Sequence, residues 1–194
     1  GGVVGTNAAK MACGLGAKVY VLDKNLDRLR FLSDIMPANC FMLYSSPATV
    51  REQIRRADVV VGAVLIPGAK APKLITRDML KTMKPGSVLV DVAIDQGGCC
   101  ETSRPTDFSN PTYEVDGIIH FCVPNLPSTA SRASTRSLTN SMLPYVLEIA
   151  DEGFDGAVRA NSALRRGTYT YDGHCVREGI AKIFDVPYRA IQGS

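Results

Sequence analysis

The chain has 194 residues, 45% of them hydrophobic and 21% charged, with a formal net charge of +3; this is enough to bury one core and an appended segment. Lys and Arg are interspersed with Asp and Glu, which excludes the basic stripe of a nucleic-acid or membrane surface. No apolar run approaches the ~20 residues that span a bilayer, and the start lacks the zones of a signal peptide, so small-molecule chemistry in the cytoplasm is the expectation.

The chain opens with "GGVVGTNAAKM", a glycine turn running into a helix, in which Val4, Ala8, Met11, Ala12 and Leu15 recur at helical spacing until Gly14 and Gly16 end it. "AKVYVLD" then reads as a short buried strand ending in Asp23. In "NLDRLRFLSDI", Asn25 is a helix N-cap and Leu26, Leu29, Leu32 and Ile35 form one apolar face. "CFMLY" is a second strand, and "SPATVREQIRRA" a helix capped by Ser46 with Pro47 in its first position. "DVVVGAVL" is a third strand, "TRDMLKTM" a short helix capped by Thr76, and "SVLVDVAID" a fourth strand running to Asp95.

Continuous apolar strands separated by amphipathic helices predict a parallel sheet covered on both faces, the doubly wound (Rossmann-like) α/β architecture. Ligands in such sheets bind outside the carboxyl ends of the strands, here Asp23, Tyr44, Ser45, Val64, Leu65, Ile94 and Asp95. Gly2 and Gly5 fit the second and third glycines of G-x-G-x-x-G, so the first glycine and the first strand of the sheet are not in this sequence. Asp23, about twenty residues on, is the carboxylate that accepts ribose hydroxyls and repels a 2′-phosphate, which favours NAD over NADP.

After Asp95 the sequence turns polar, and "QGGCCETSRPTDFSNPTYEVDG" reads as a long functional loop. "IIHFCV" is a further strand. The segment from Ser128 to Phe154 becomes strongly helical in its second half, with Leu143, Val146, Leu147 and Ala150 on one face, and the remainder suggests two helices around a hairpin-like turn at Tyr171 to Gly173. The six cysteines read as buried thiols, since none lies in a C-x-x-C pattern and a reduced cytosol opposes bridging the adjacent Cys99 and Cys100.

Three stretches, "ADVVVGAVLIPGAKAPKLIT", "MKPGSVLVDVAIDQGGCCETSRPT" and "HFCVPNLPSTASRASTRSLTNSMLPYVLEIA", closely resemble the alanine dehydrogenases, from Gly1 to about Pro187. The resemblance implies NAD-dependent oxidation of L-alanine to pyruvate and ammonia, a homo-oligomer that is hexameric in the family, and no nucleic-acid or membrane partner. It implies an NAD-binding domain at 1–126, truncated at its N-terminus, and at 127–194 the C-terminal helices of a substrate domain. By motif, Gly2, Val3, Val4, Gly5, Asp23, Arg28 and Ser45 would hold the adenosine and pyrophosphate side. Val64, Leu65, Val92, Ala93, Ile94, Asp95, Val123, Pro124, Asn125 and Leu126 would line the nicotinamide side, with Arg104 at another cofactor position. Asp95 is the catalytic candidate.

The family's catalytic His and its substrate-binding Arg and Lys precede Gly1, so neither His120, read as packed in a strand or cofactor-adjacent, nor His174, read as a surface residue, takes that role. The isolated chain is accordingly expected to be inactive. Cys100, Pro124 and Leu126 depart from the aromatic, small and Met residues usual in the family, and Pro124 removes an amide from the nicotinamide loop. Glu148 and Glu152 are read as two solvated carboxylates, with no metal site. Two alternatives are the NAD-binding portion of a proton-translocating transhydrogenase, against which the spelling "AIDQGG" argues, and a cofactor-binding fragment without catalysis.

Overall fold

The computed structural model describes residues 1–66 and 69–191. Pro67 and Gly68 of the "LIPG" stretch and the last three residues of the expected C-terminal domain lie outside that range. Two compact units are present, one formed by Gly1–Ile66 with Lys70–Asn125, the other starting at Leu126.

The first unit alternates helix and strand: α1 (Val3–Gly14), β1 (Val19–Asp23), α2 (Leu26–Ile35), β2 (Cys40–Tyr44), α3 (Pro47–Ile54), β3 (Val59–Gly62), α4 (Arg77–Leu80), β4 (Val88–Asp91), β5 (Thr112–Val115) and β6 (Ile118–Phe121). The expected caps form. Asn25 accepts from the Arg28 amide, Ser46 from Thr49 and Thr76 from Met79, each satisfying a backbone donor that the first helical turn leaves unpaired.

β1 and β2 pair in parallel, and β3, β4 and β6 form a second parallel ladder, with β5 antiparallel on the edge of β6. The strands of this unit therefore fall into two ladders, β1 with β2 and β3 with β4, β6 and β5. Helix α1 packs against both β1 and β3. Ala9, Val21 and Leu32 form the core beside the first ladder; Ile54, Ile75, Met79, Leu80, Met83, Leu89, Cys100 and Ile118 form the core beside the second.

Three elements differ from the sequence expectation; the first is the strand read as "DVVVGAVL", which ends at Gly62, three residues early. The strand read through to Asp95 stops at Asp91, and Val92–Gln96 is a 3₁₀ turn. The Asp91 carboxylate accepts from the Ala93 amide at 3.1 Å and bends the chain out of the ladder. The polar stretch read as loop contains β5, whose four residues pair with β6 from Thr112↔Phe121 to Val115↔Ile118.

The second unit holds α5 (Ser131–Ala160), α6 (Ser162–Gly167), the hairpin of β7 (Thr170–Tyr171) and β8 (His174–Cys175), and α7 (Glu178–Phe184). Gly153 breaks α5 with φ 69 and ψ 164. Asn161 caps α6 through the Ala163 amide at 2.8 Å and donates to Glu148 at 2.7 Å, so Glu148 is engaged rather than free in solvent. Leu143, Val146 and Leu147, expected to pack as an apolar face, are each about half exposed. All six cysteines are free; Cys40 is half-buried and the other five are buried. His120 is fully buried and His174 exposed, as expected.

Candidate functional site

The site begins at the glycine turn. Gly2 leads α1 in an extended conformation with no side-chain cap, and the first helical turn carries no acidic residue, so the leading amides of Val3, Val4 and Gly5 are open to an anion. A Cβ on Gly1 would lie 2.9 Å from Asp23 Oδ2 and 3.0 Å from Leu32, so the turn sits against the end of β1 with no room for a side chain. Asp23 accepts from the Asn25 amide at 2.9 Å and lies 3.0 Å from the N-terminal ammonium. Partial burial works to raise its pKa, but the hydrogen bonds it accepts, the Asn25 amide foremost, outweigh it and hold the carboxyl below its ordinary value.

Arg28 faces the glycine turn. Its Nε donates to the Gly1 carbonyl at 2.6 Å, and its terminal nitrogen donates to Thr6 Oγ1 at 3.0 Å, while Thr6 donates to the same carbonyl at 3.0 Å. The side chain thus braces the turn. Ser45, just beyond β2, donates its amide to the Asp23 carbonyl at 2.9 Å, bringing the two expected adenosine-side residues together.

Close contacts run from the glycine turn to the second ladder. A Cβ on Gly5 would lie 3.6 Å from Ala63 Cβ, just past the end of β3. A Cβ on Gly62 would collide with Cys99 Sγ and lie 3.3 Å from Asp91 Oδ1, so the ends of β3 and β4 share one packed layer. Val64 packs with Ala71, Ala93 and Cys99, and Leu65 is exposed.

Asp95 sits on the 3₁₀ turn after β4, with Ala93 and Ile94 buried beneath it and Val92 half-buried. Its side chain is exposed, and Oδ1 accepts from the Asn125 amide at 3.2 Å. Asn125 adopts a left-handed conformation, φ 51, which non-glycine residues rarely take and Asn tolerates best. The chain leaving β6 through buried Val123 and half-buried Pro124 thereby aims an amide at the catalytic candidate. Leu126, the next residue, opens the second unit.

Arg104 lies on the loop before β5. Its guanidinium is 4.0 Å from the centre of the Tyr113 ring, and its amide donates to the Tyr113 hydroxyl at 2.8 Å. That hydroxyl donates to the Thr102 carbonyl at 2.9 Å, and burial, with the Cys122 thiol next, pushes its pKa up. Tyr113 stacks on His120 at 4.9 Å. His120 Nδ1 meets the Ile118 carbonyl at 2.9 Å, which can only accept, so Nδ1 carries a proton; in the neutral ring Nε2 then accepts from Thr102 Oγ1 at 2.8 Å. His120 is a satisfied core residue supporting the platform under Arg104.

Two residues of the site carry no functional signal in the sequence. Asp91, 1% exposed, accepts four bonds besides that from Ala93, namely from the Cys99 and Cys100 amides, Cys99 Sγ and Ser103 Oγ. Lys73 Nζ donates to the carbonyls of Gly97, Gly98 and Cys100 at 2.6, 2.8 and 3.0 Å. An Asp closing an apolar strand ahead of two glycines was the only available hint, and nothing local marks Lys73, which acts across more than twenty residues. Burial first, then the Asp91 charge, raises the Cys99 pKa, so this thiol is a hydrogen-bond donor rather than a nucleophile. Among the described residues no three His, Cys, Asp or Glu side chains are grouped to hold a metal ion, and no helix is long and apolar enough to cross a membrane.

Comparison with known proteins agrees with this geometry. Residues 1–178 match the family described as alanine dehydrogenase/PNT, C-terminal domain. The alanine dehydrogenase of Halomonas elongata is 51% identical over 188 residues, covering 97% of this chain and 51% of that protein. A solved L-alanine dehydrogenase superposes with a TM-score of 0.83 at 43% identity, over 95% of this chain and 51% of the other. The transhydrogenase of Sinorhizobium meliloti superposes less well, with a TM-score of 0.67 at 30% identity, over 91% of this chain and 47% of that one. The chain spans about half the length of the curated relatives it matches. It belongs to the alanine dehydrogenase/PNT C-terminal domain family.

Proposed function

We propose that this chain supplies the NAD-binding part of an enzyme that oxidises L-alanine to pyruvate and ammonia. The observation carrying the reading is the contact line from the uncapped start of α1, past Asp23 and Gly5, to the 3₁₀ turn bearing Asp95. Each residue of that line matches a chemical group of a dinucleotide. The leading amides of α1 suit a pyrophosphate. Asp23, held ionised by its amide partner, suits a ribose diol and disfavours a 2′-phosphate. Arg28 acts by bracing the turn, Ser45 flanks Asp23, and Arg104 on its Tyr113 platform offers a fixed cation.

When bound, the nicotinamide supplies hydride acceptance. The protein's part is alignment, exclusion of water and proton handling. Val64, Leu65, Val92, Ala93, Ile94, Val123, Pro124 and Asn125 would wall that end. Asp95 would accept and return a proton at Oδ2, its Oδ1 being held by the Asn125 amide. The same reading gives a cytoplasmic homo-oligomer whose catalytic His and substrate-binding Arg and Lys come from outside this chain, with the isolated chain binding cofactor without turnover. The weaker match to the transhydrogenase makes that reading second.

NADH fluorescence titration of the purified chain tests the cofactor half of the proposal: saturable binding, weakened in Asp23→Asn and much weaker for NADPH, is expected. The reaction is tested in the enzyme assembled with its substrate part. Asp95→Asn should abolish alanine-dependent NADH formation while leaving NADH affinity nearly intact, and full turnover in that variant would remove Asp95 from the mechanism.

A further inference from the structure

The turn that follows Asp95 is gripped from both sides by opposite charges. Asp91 lies in the core with 1% of its surface exposed and, among the described residues, no cation paired with its carboxylate. Its Oδ2 accepts from the Cys99 amide at 2.8 Å, the Cys100 amide at 3.2 Å and Ser103 Oγ at 2.5 Å. Lys73 approaches from the other side with three bonds to carbonyls and, among the described residues, no carboxylate partner. The Gly98 carbonyl and the Cys99 amide belong to one peptide group. Carboxylate, peptide and ammonium therefore form a line in which the two charges interact through a polarised amide, each strengthening the bond made by the other.

The geometry leaves little slack. Gly97 and Gly98 both have positive φ, 91 and 75. Their amides donate back to Ile94 at 2.9 Å and Ala93 at 3.0 Å, closing the 3₁₀ turn from its far end. Asp91 closes the near end through the Ala93 amide. Asp95 is thus suspended on a single turn whose two ends are fixed by one carboxylate, and Lys73 keeps the outgoing strand of that turn from swinging away.

We propose that Asp91 and Lys73 form an electrostatic clamp across the Gly98–Cys99 peptide, and that they are positioning residues that hold Asp95 against the Asn125 amide. The catalytic importance of Asp95 rests on the function proposed above; the clamp and its effect on Asp95 placement are tested without turnover.

The Asn125 amide reports the contact, because a backbone N–H bonded to a carboxylate shifts in the NMR spectrum as that carboxylate gains a proton. In the labelled chain the Asn125 amide signal should move on acidification, and Asp95→Asn should abolish the movement. Lys73→Met and Asp91→Asn should also abolish it, or reduce it severalfold, in protein that still gives a dispersed spectrum. Lys73→Arg, which can still donate to the carbonyls, should keep it. Lys73 has an exposed stem, so Lys73→Met remains informative if Asp91→Asn fails to fold. A full wild-type movement in folded Lys73→Met overturns the proposal, as does an Asn125 signal in the parent protein that ignores Asp95. Loss of the movement with normal alanine oxidation in Asp95→Asn would retain the clamp and reject only the proposed role of Asp95.

Discussion

Replacing Gly98 by alanine should destabilise the chain more than replacing its neighbour Gly97, and the difference can be worked out from the turn. Both glycines adopt positive φ, so alanine at either incurs the left-handed penalty of about 1–2 kcal/mol. Around Gly97 a new Cβ meets nothing within 4 Å, and that penalty is the whole effect. At Gly98 the Cβ would lie 2.8 Å from Ser103 Cβ and 2.9 Å from Asp91 Oδ2, both well inside ordinary contact. Neither neighbour is the loose end of a flexible side chain, because Asp91 is held by its amide donors and Ser103 is bonded to it. Overpacking of this kind adds about 1–3 kcal/mol. Gly98→Ala should therefore cost roughly 2–5 kcal/mol, and its excess over Gly97→Ala corresponds to roughly a five- to 150-fold change in the unfolding constant. Urea unfolding of the two variants beside the parent measures this directly. Equal midpoints for Gly97→Ala and Gly98→Ala would refute the packing of the turn on Asp91.

Asp23→Ala removes acceptors whose charge-assisted bonds are worth about 1.5–3 kcal/mol, so NADH affinity should fall roughly 10- to 100-fold and discrimination against NADPH should shrink; unchanged discrimination in paired fluorescence titrations would exclude Asp23 from the ribose site. The folded-state pKa of Asp23 is lowered, so its stabilisation is present above the unfolded value of about 3.9 and is lost as pH falls through the lower folded value. The stability gap between the parent and Asp23→Asn should accordingly be level at neutral pH and close under acid conditions, and a gap that widens in acid would contradict the assigned environment. Asn161→Ala removes the cap of α6 and the donor to Glu148, and should lower stability by about 1 kcal/mol; no change in the thermal midpoint would contradict the capping.

The local elements were legible because their causes are local. Asn25, Ser46 and Thr76 announce helix starts through side chains that reach three residues ahead, and all three caps form. The apolar runs of β1 to β4 and β6 likewise show where strands lie. The end of β4 was hidden because Val92, Ala93 and Ile94 are apolar enough to continue a strand, and only the inward carboxylate of Asp91 bends them into a 3₁₀ turn. β5 was hidden by its setting: "TYEV" is short, follows Pro111, and is a strand only because β6 offers it an edge. Leu143, Val146 and Leu147 have the pattern of a packed face, but the described residues leave them half exposed.

The site was legible to the extent that its residues lie at strand ends. Asp23 ends β1, Asp95 lies on the 3₁₀ turn just past β4, the glycine turn packs against Asp23, and the motifs around them carry the family resemblance. The bracing of the turn by Arg28, the stacking of Arg104 on Tyr113 and the charge clamp of Asp91 and Lys73 are pairings across 8 to 27 residues. No periodicity encodes such pairings. The Arg28 brace arises when α2 packs beside the glycine turn, and the charge clamp when the ends of β3 and β4 and the loop after the 3₁₀ turn fold into one layer.

In the proposed function one dinucleotide lies along the line from α1 to Asp95. The most direct measurement is amide hydrogen exchange and chemical-shift mapping of the purified chain with and without NADH. The account predicts NADH-dependent changes at Val3, Val4, Asp23, Ser45, Asp95 and Asn125, forming one continuous path across the ends of both ladders, with much smaller changes for NADPH. Changes confined to the second unit, or scattered without that path, would contradict it.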